Sequence, residues 1–180
     1  MNQRFAISCR LVVCGIFSVL ALTAGCAKPV DHWRAFSPPG GRFSILLPGP
    51  AVEQIPKTTT GFEAKKYTIV SAMSNFSGLA VAYADQPDRS GIQADINKIF
   101  DALREQARVD LRGQLLGEKQ ITLQGYPGRE LRFLIADGHT VLQRIYLVNK
   151  RLYSLLIIAG SKGIDSPDAE RFMNSFKVLP

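Results

Sequence analysis

The side chains able to do chemistry are few and scattered. Two histidines occur, His32 and His139, and neither stands at the helical or strand spacing of a metal-ligating pair. Asp137, His139 and Ser161 supply the residue types of an orienting acid, a base and a nucleophile. Their setting argues against that use. In Ala159-Gly160-Ser161-Lys162-Gly163 the first glycine of a nucleophile elbow is missing, and no helix of the right length follows. The same Gly-Ser-Lys lacks the spaced glycines of a phosphate loop. Asp85, Asp88, Asp165, Asp168 and Glu170 are numerous enough to attract calcium, but they do not follow an EF-hand loop. Acids near a helix start ordinarily serve its dipole. We therefore assign no catalytic residue, no metal ligand and no cofactor, and a hydrolase stands last among the functions weighed.

The elements around these residues follow from periodicity. Phe43-Ser44-Ile45-Leu46-Leu47 reads as a strand stopped by Pro48-Gly49-Pro50, and further strands are expected over about 62–73 and 78–84. Ser90-Gly91-Ile92-Gln93 has the form of a capping box. Behind it Ile92, Ile96, Ile99, Phe100, Leu103, Ala107 and Leu111 recur at helical spacing up to Gly113. One long amphipathic helix is expected there, and its apolar stripe needs a sheet to cover. Four strands follow at about 115–123, 129–136, 140–148 and 151–159, with Asp137-Gly138 as a hairpin turn and Asn149-Lys150 as a weaker one. Ser166-Pro167 opens a short closing helix carrying Ala169, Phe172, Met173 and Phe176.

Loops centred at 137/138 and 149/150 place Leu131, Phe133, Leu142, Tyr146, Val148, Tyr153, Leu155 and Ile157 on one face. Leu134, Val141, Ile145, Leu147, Leu152, Leu156 and Ile158 fall on the other. Neither face is polar, so both are expected to be covered. The same arithmetic brings Arg129, Arg144, Tyr146 and Tyr153 together on one face, with Tyr146 opposite Tyr153 and Arg129 opposite Tyr146. Arginine with tyrosine suits a partner-binding surface. It also describes a sheet margin where aromatic stems are buried and cations reach outward.

The first residues form an address. Arg4 and Arg10 precede an uncharged run of 17 residues, Leu11 to Ala27, in the tripartite order of a secretory signal. That run is short for a membrane span, which needs about 20 residues. Its end, Leu22-Thr23-Ala24-Gly25-Cys26, resembles the lipobox of bacterial lipoproteins. Leucine stands four residues before the cysteine, and Thr23 occupies the place where leucine is commonest. The resemblance implies that Leu22, Thr23, Ala24 and Gly25 are read by the lipoprotein signal peptidase, and that Cys26 becomes the lipidated first mature residue. With Ala27 rather than aspartate next, it implies the outer rather than the inner membrane. Two or three acyl chains, at about 0.8 kcal/mol per buried methylene, anchor a protein stably. All three cysteines lie in the first 26 residues, so processing leaves no free thiol for disulfides, zinc–thiolate sites or cysteine nucleophiles. Two arginines and no acid leave with residues 1–25, taking the net charge from +7 to +5.

Residues 26–41 are expected to be the lipidated terminus and a Pro/Gly-marked tether. Within them Trp33, the only tryptophan, suits either the headgroup level of a membrane interface or docking on its own domain.

The order of elements is similar to that of the PsbP-like superfamily. Gly41-Arg42-Phe43-Ser44-Ile45-Leu46-Leu47-Pro48-Gly49, Gly128-Arg129-Glu130-Leu131, Tyr146-Leu147 with Leu152-Tyr153, and Phe172-Met173-Asn174-Ser175-Phe176 carry the resemblance, across about residues 36–179. DcrB-type lipoproteins are among the relatives. The resemblance implies an α+β domain over 42–180, an antiparallel sheet of six or seven strands covered by helices on both faces. It implies binding and assembly rather than an enzyme, and no ligand residue transfers. The expected function is a non-enzymatic, lipid-anchored periplasmic module that binds an envelope protein or an anionic envelope polymer, the latter favoured by the basic balance. Nucleic acid is not expected as a partner. The alternative is a small-molecule or lipid binder using an apolar cavity beneath the long helix.

Overall fold

The computed structural model describes residues 32–54, 64–69, 76–86 and 95–180, with 64–69 described as backbone alone. The lipobox Leu22–Cys26 and the expected cap Ser90–Gln93 lie outside the described residues. Arg34–Phe36, within the expected tether, forms a strand, β1.

β1 pairs antiparallel with β2 (Phe43–Leu47), and β2 pairs on its other side with the final strand, β10 (Lys177–Val178). These three form a small sheet of their own. The main sheet has seven strands: β3 (Ala51–Gln54), β4 (Ala64–Ile69), β5 (Gly78–Asp85), β6 (Gln114–Leu123), β7 (Tyr126–Leu134), β8 (Thr140–Val148) and β9 (Arg151–Ala159). Their spatial order is β3-β4-β5-β9-β8-β7-β6, and every pairing is antiparallel.

The long helix α1 spans Ile96–Leu111. Its cap is Asp95, whose carboxylate accepts from the Asn97 amide at 3.0 Å. At the other end Arg112 turns left-handed (φ 48°). Its N–H reaches Val109 O and that of Gly113 reaches Arg108 O, both at 3.1 Å, which satisfies the carbonyls of the last turn. α1 covers one face of the main sheet. Phe100 and Ala107 pack there with Leu131, Phe133, Val141 and Ile145.

The opposite face is covered differently from expectation. Among the described residues helix contributes only α2 (Ser161–Ile164) and α3 (Pro167–Asn174) there, and the small sheet packs beside them. The expected α/β/α sandwich is thus a helix on one side and a strand-and-helix layer on the other. Phe43 sits at its centre, 6.1 Å from Tyr83, 5.9 Å from Tyr153 and 5.4 Å from Phe176 between ring centroids. β2 buries Phe43, Ile45 and Leu47 by strict alternation, so it behaves as a layer facing the main sheet rather than as one of its strands.

The β7–β8 hairpin corrects the face assignment. Its loop is Ala136-Asp137-Gly138, closed by Ile135 N–H to His139 O at 3.0 Å, with Gly138 left-handed at φ 83°. This is the three-residue loop that ends in a left-handed glycine. A two-residue reading of Asp-Gly is off by one, and one residue of slip moves every side chain of the strand to the other face. Arg129 therefore pairs with Ile145, and Gly128 lies opposite Tyr146. Leu131 and Phe133 face α1 rather than Tyr146. The β8–β9 register stands as expected, with Tyr146 opposite Tyr153.

Candidate functional site

Four residues expected to share a face do not form a surface. Arg129 lies under α1, 9% exposed, where it donates to Glu118 and, at 3.0 Å, to Asn97 Oδ1. Its guanidinium also lies 5.6 Å from the Phe100 ring centroid. Arg144 is on the opposite face, tied to Glu130 at 2.7 Å and Asn174 at 2.8 Å. Tyr146 and Tyr153 are core residues, 3% and 1% exposed. Burial pushes both phenols up from their ordinary pKa. The slipped register separates Arg129 from the rest, and the small sheet with α3 covers the tyrosines.

The other chemical candidates are likewise committed. The His139 amide donates to Asp137 Oδ1 at 2.9 Å, and His139 Nδ1 is 3.0 Å from the same oxygen. The amide hydrogen bond is the main cause that holds the Asp137 carboxyl below its usual range. Among the described residues no hydrogen bond joins His139 to Ser161, which begins α2. Asp165 takes two hydrogen bonds from Arg132, and these lower its pKa. No group of three or more His, Cys, Asp or Glu placed to hold a metal occurs among the described residues. Trp33 is half-buried against the core, with the Arg171 guanidinium 4.9 Å from its ring centroid.

What the structure does assemble is a groove of about 420 Å³ at one end of the main sheet. Three chain segments meet there. The Asn149-Lys150 turn closes β8–β9, the C-terminal stretch Val178–Pro180 runs alongside, and Arg42 enters β2. Tyr126, Val148, Tyr153 and Leu179 contribute apolar lining. Arg151 organises one side. It holds both oxygens of Asp85 at 2.5 and 2.6 Å, donates to Gly40 O at 2.6 Å and to Gly41 O at 3.3 Å, and lies 4.9 Å from the Tyr83 ring centroid. The Asp85 carboxyl is held low chiefly by the Arg151 hydrogen bond, and Arg151 is raised by the same contact. Tyr153 Oη donates to Gly41 O at 3.0 Å.

Backbone strain concentrates around this groove. Arg42 (φ 52°) and Asn149 (φ 55°) line it in the left-handed region, which asparagine tolerates and which costs an arginine about 1–2 kcal/mol. Gln124 (φ 50°) and Gly125 (φ 85°) form the neighbouring two-residue turn. The Gln124 side chain clasps Val178, accepting from its N–H at 2.8 Å and donating to its carbonyl at 3.3 Å. Such strain persists only where surrounding contacts over-determine it, and it clusters at functional sites. The sequence reading missed Arg42, Gln124 and Arg151. Asp85 and Arg151 are 66 residues apart, and only the β5–β9 register brings them opposite one another.

A second groove of about 240 Å³ lies between α3 and strands β7 and β8, lined by Glu130, Arg132, Arg144 and Asp165 over Leu142 and Met173. Its arginines are spent on internal pairs. Neither groove lies beneath α1.

No protein-family model matches the sequence, and no curated protein does. Among solved structures, the solution structure of cyanobacterial PsbP (CyanoP) from Synechocystis sp. PCC 6803 superposes with a TM-score of 0.60 at 11% identity, covering 88% of this chain and 99% of that one. The crystal structure of PA94, a protein of unknown function from Pseudomonas aeruginosa, is similar at a TM-score of 0.48 and 10% identity, over 83% of this chain and 97% of that one. At such identity the likeness to CyanoP is one of architecture, and on it the fold of this chain is PsbP-like.

Proposed function

We propose that this chain is a membrane-anchored binding module without enzymatic activity, held by lipid on Cys26 and facing the periplasm from the outer membrane. The observation that carries the reading is Leu22-Thr23-Ala24-Gly25-Cys26 behind a basic, then apolar, leader. It is supported by a groove at one end of the main sheet that Arg42 and Asn149 line with left-handed backbone. The partner is an envelope protein or an anionic envelope component. A small-molecule binder is the second reading, and the groove favours it by size, within the roughly 300–1,000 Å³ of ligand sites. That groove is at the sheet end, not under the long helix.

Fractionation of cells carrying Cys26→Ser tests the anchor. The variant is expected in the soluble fraction while the parent stays with membranes; a membrane-bound variant overturns the lipid reading. Crosslinking in intact cells followed by mass spectrometry tests the binding module, with one recurrent envelope partner or co-purified ligand as the expected result.

A further inference from the structure

Residues 26–41 read as a tether in the sequence, and that much free chain, reaching about 50 Å, would leave the domain any orientation over its anchor. The fold takes most of the length back. Arg34–Phe36 pairs with β2, and Ser37 Oγ donates to Phe43 O at 2.8 Å. Pro38 is buried and its carbonyl accepts from Gly41 N–H at 3.0 Å, while Arg151 donates to Gly40 O. Among the described residues Trp33 is the first held to the domain, packed on the core beside the Arg171 guanidinium. From Cys26 to Trp33 the chain reaches at most about 25 Å.

This short leash leaves from one end of the small sheet. Arg34 lies opposite Leu47, whereas Arg42, Val178 and Leu179 of the groove gather at the Phe43 end of β2. The strand between the two ends is about 17 Å long. Laying the groove on the bilayer would therefore draw the leash almost straight and cost its conformational freedom. Laying the β1 end there leaves it slack. That end also carries groups that suit a headgroup layer. Trp33 joins an apolar ring to a polar N–H, and Arg34 is exposed, with no hydrogen bond or ion pair among the described residues. Charge alone does not choose the face, since α3 carries Asp168 and Glu170 beside Arg171.

We propose that the β1 end of the small sheet, at Trp33 and Arg34, rests on the phospholipid headgroups of the anchoring bilayer, so that the groove points away from it. The proposal rests on lipid at Cys26 and names the face that the anchor sets down.

The test uses the processed, lipidated chain in vesicles of phosphatidylethanolamine and phosphatidylglycerol, with and without phosphatidylcholine carrying a headgroup nitroxide, a contact-range quencher. Trp33 is the only tryptophan, so intrinsic fluorescence reports this end alone. With residues 1–25 removed and Cys26 acylated, Leu179→Cys supplies one free thiol for a bimane label at the groove. The nitroxide is expected to quench Trp33 by about half and the label hardly at all. Arg34→Glu sets a like charge against phosphatidylglycerol, and is expected to remove most of the Trp33 quenching without moving the thermal midpoint. An unquenched Trp33, a label quenched as much as Trp33, or quenching unchanged in Arg34→Glu overturns the proposal and leaves the anchor standing. A chain that does not float with the vesicles at all overturns the lipid anchor itself, and the proposal with it.

Discussion

Arg129 shows what decides a buried cation's role. It was attractive as a recognition residue, yet its side chain is held under α1 by Glu118, Asn97 and the Phe100 ring. Glu118 also accepts from Arg104 at 2.9 Å. Burial pushes the Glu118 carboxyl up, but the Arg104 and Arg129 hydrogen bonds outweigh it and leave the pKa below its usual value. A depressed folded pKa means that the unfolded chain binds more protons across that window. The contribution is present above the unfolded value of about 4.3 and is lost as pH falls through the folded one. Urea titrations should therefore show stability falling on acidification below about pH 4, with Glu118→Gln flattening that part of the profile. At neutral pH the same substitution removes the nearer carboxylate from Arg129 and leaves Asp101 at 4.0 Å, and a loss of about 1–3 kcal/mol is expected. Gly128 makes a different kind of argument. A Cβ there would stand 2.5 Å from Tyr146 Cδ1 and 2.7 Å from Ile145 O. Gly128→Ala should cost about 1–3 kcal/mol by overpacking, read as a lowered urea midpoint at unchanged slope.

At the level of elements, periodicity was legible wherever it was long. Strands β8 and β9, the stripe of α1 from Ile96 to Leu111 and the Ser166-Pro167 start of α3 lie where spacing put them, while Ile92 of the expected stripe lies outside the described residues. Ser166 Oγ accepts from the Ala169 amide at 3.2 Å and donates to Gly163 O at 2.7 Å. Ser166→Ala is expected to lower stability by about 1 kcal/mol, measured by thermal unfolding. Turn chemistry was harder to read, because Asp-Gly serves both two-residue and three-residue hairpins. That single ambiguity moved Leu131, Phe133 and Arg129 to the wrong face. Strands β1, β3 and β10, of three, four and two residues, are too short for any period to register. The groove was invisible for the same reason, since its residues come from turns and ends.

For the whole molecule, two apolar sheet faces correctly required two covering layers, but composition did not say what the second layer was made of. It is built from both ends of the folded unit. β2 pairs Phe43 with Val178 and Ser44 with Lys177, and its core side chains rest on α3 and the far strands. Ending the chain before Pro167 removes α3 and β10 together and uncovers Phe43, Tyr146 and Tyr153. Such a protein should lose its cooperative unfolding transition and its near-ultraviolet circular dichroism, whereas a self-sufficient main sheet would retain both.

That joining of β2 to the last strand also sets a clock. A chain is made from its amino terminus, and domains settle as units once their contacts exist. Here β2 has no settled neighbour on one side until the closing residues have emerged, and the Arg151 strap to Gly40 spans 111 positions. Contacts so distant along the chain must be closed against loop entropy before they return anything, which slows folding. The early segment therefore stays pliable for the whole of synthesis, which is what export ahead of folding would ask of the secretory leader proposed for residues 1–25.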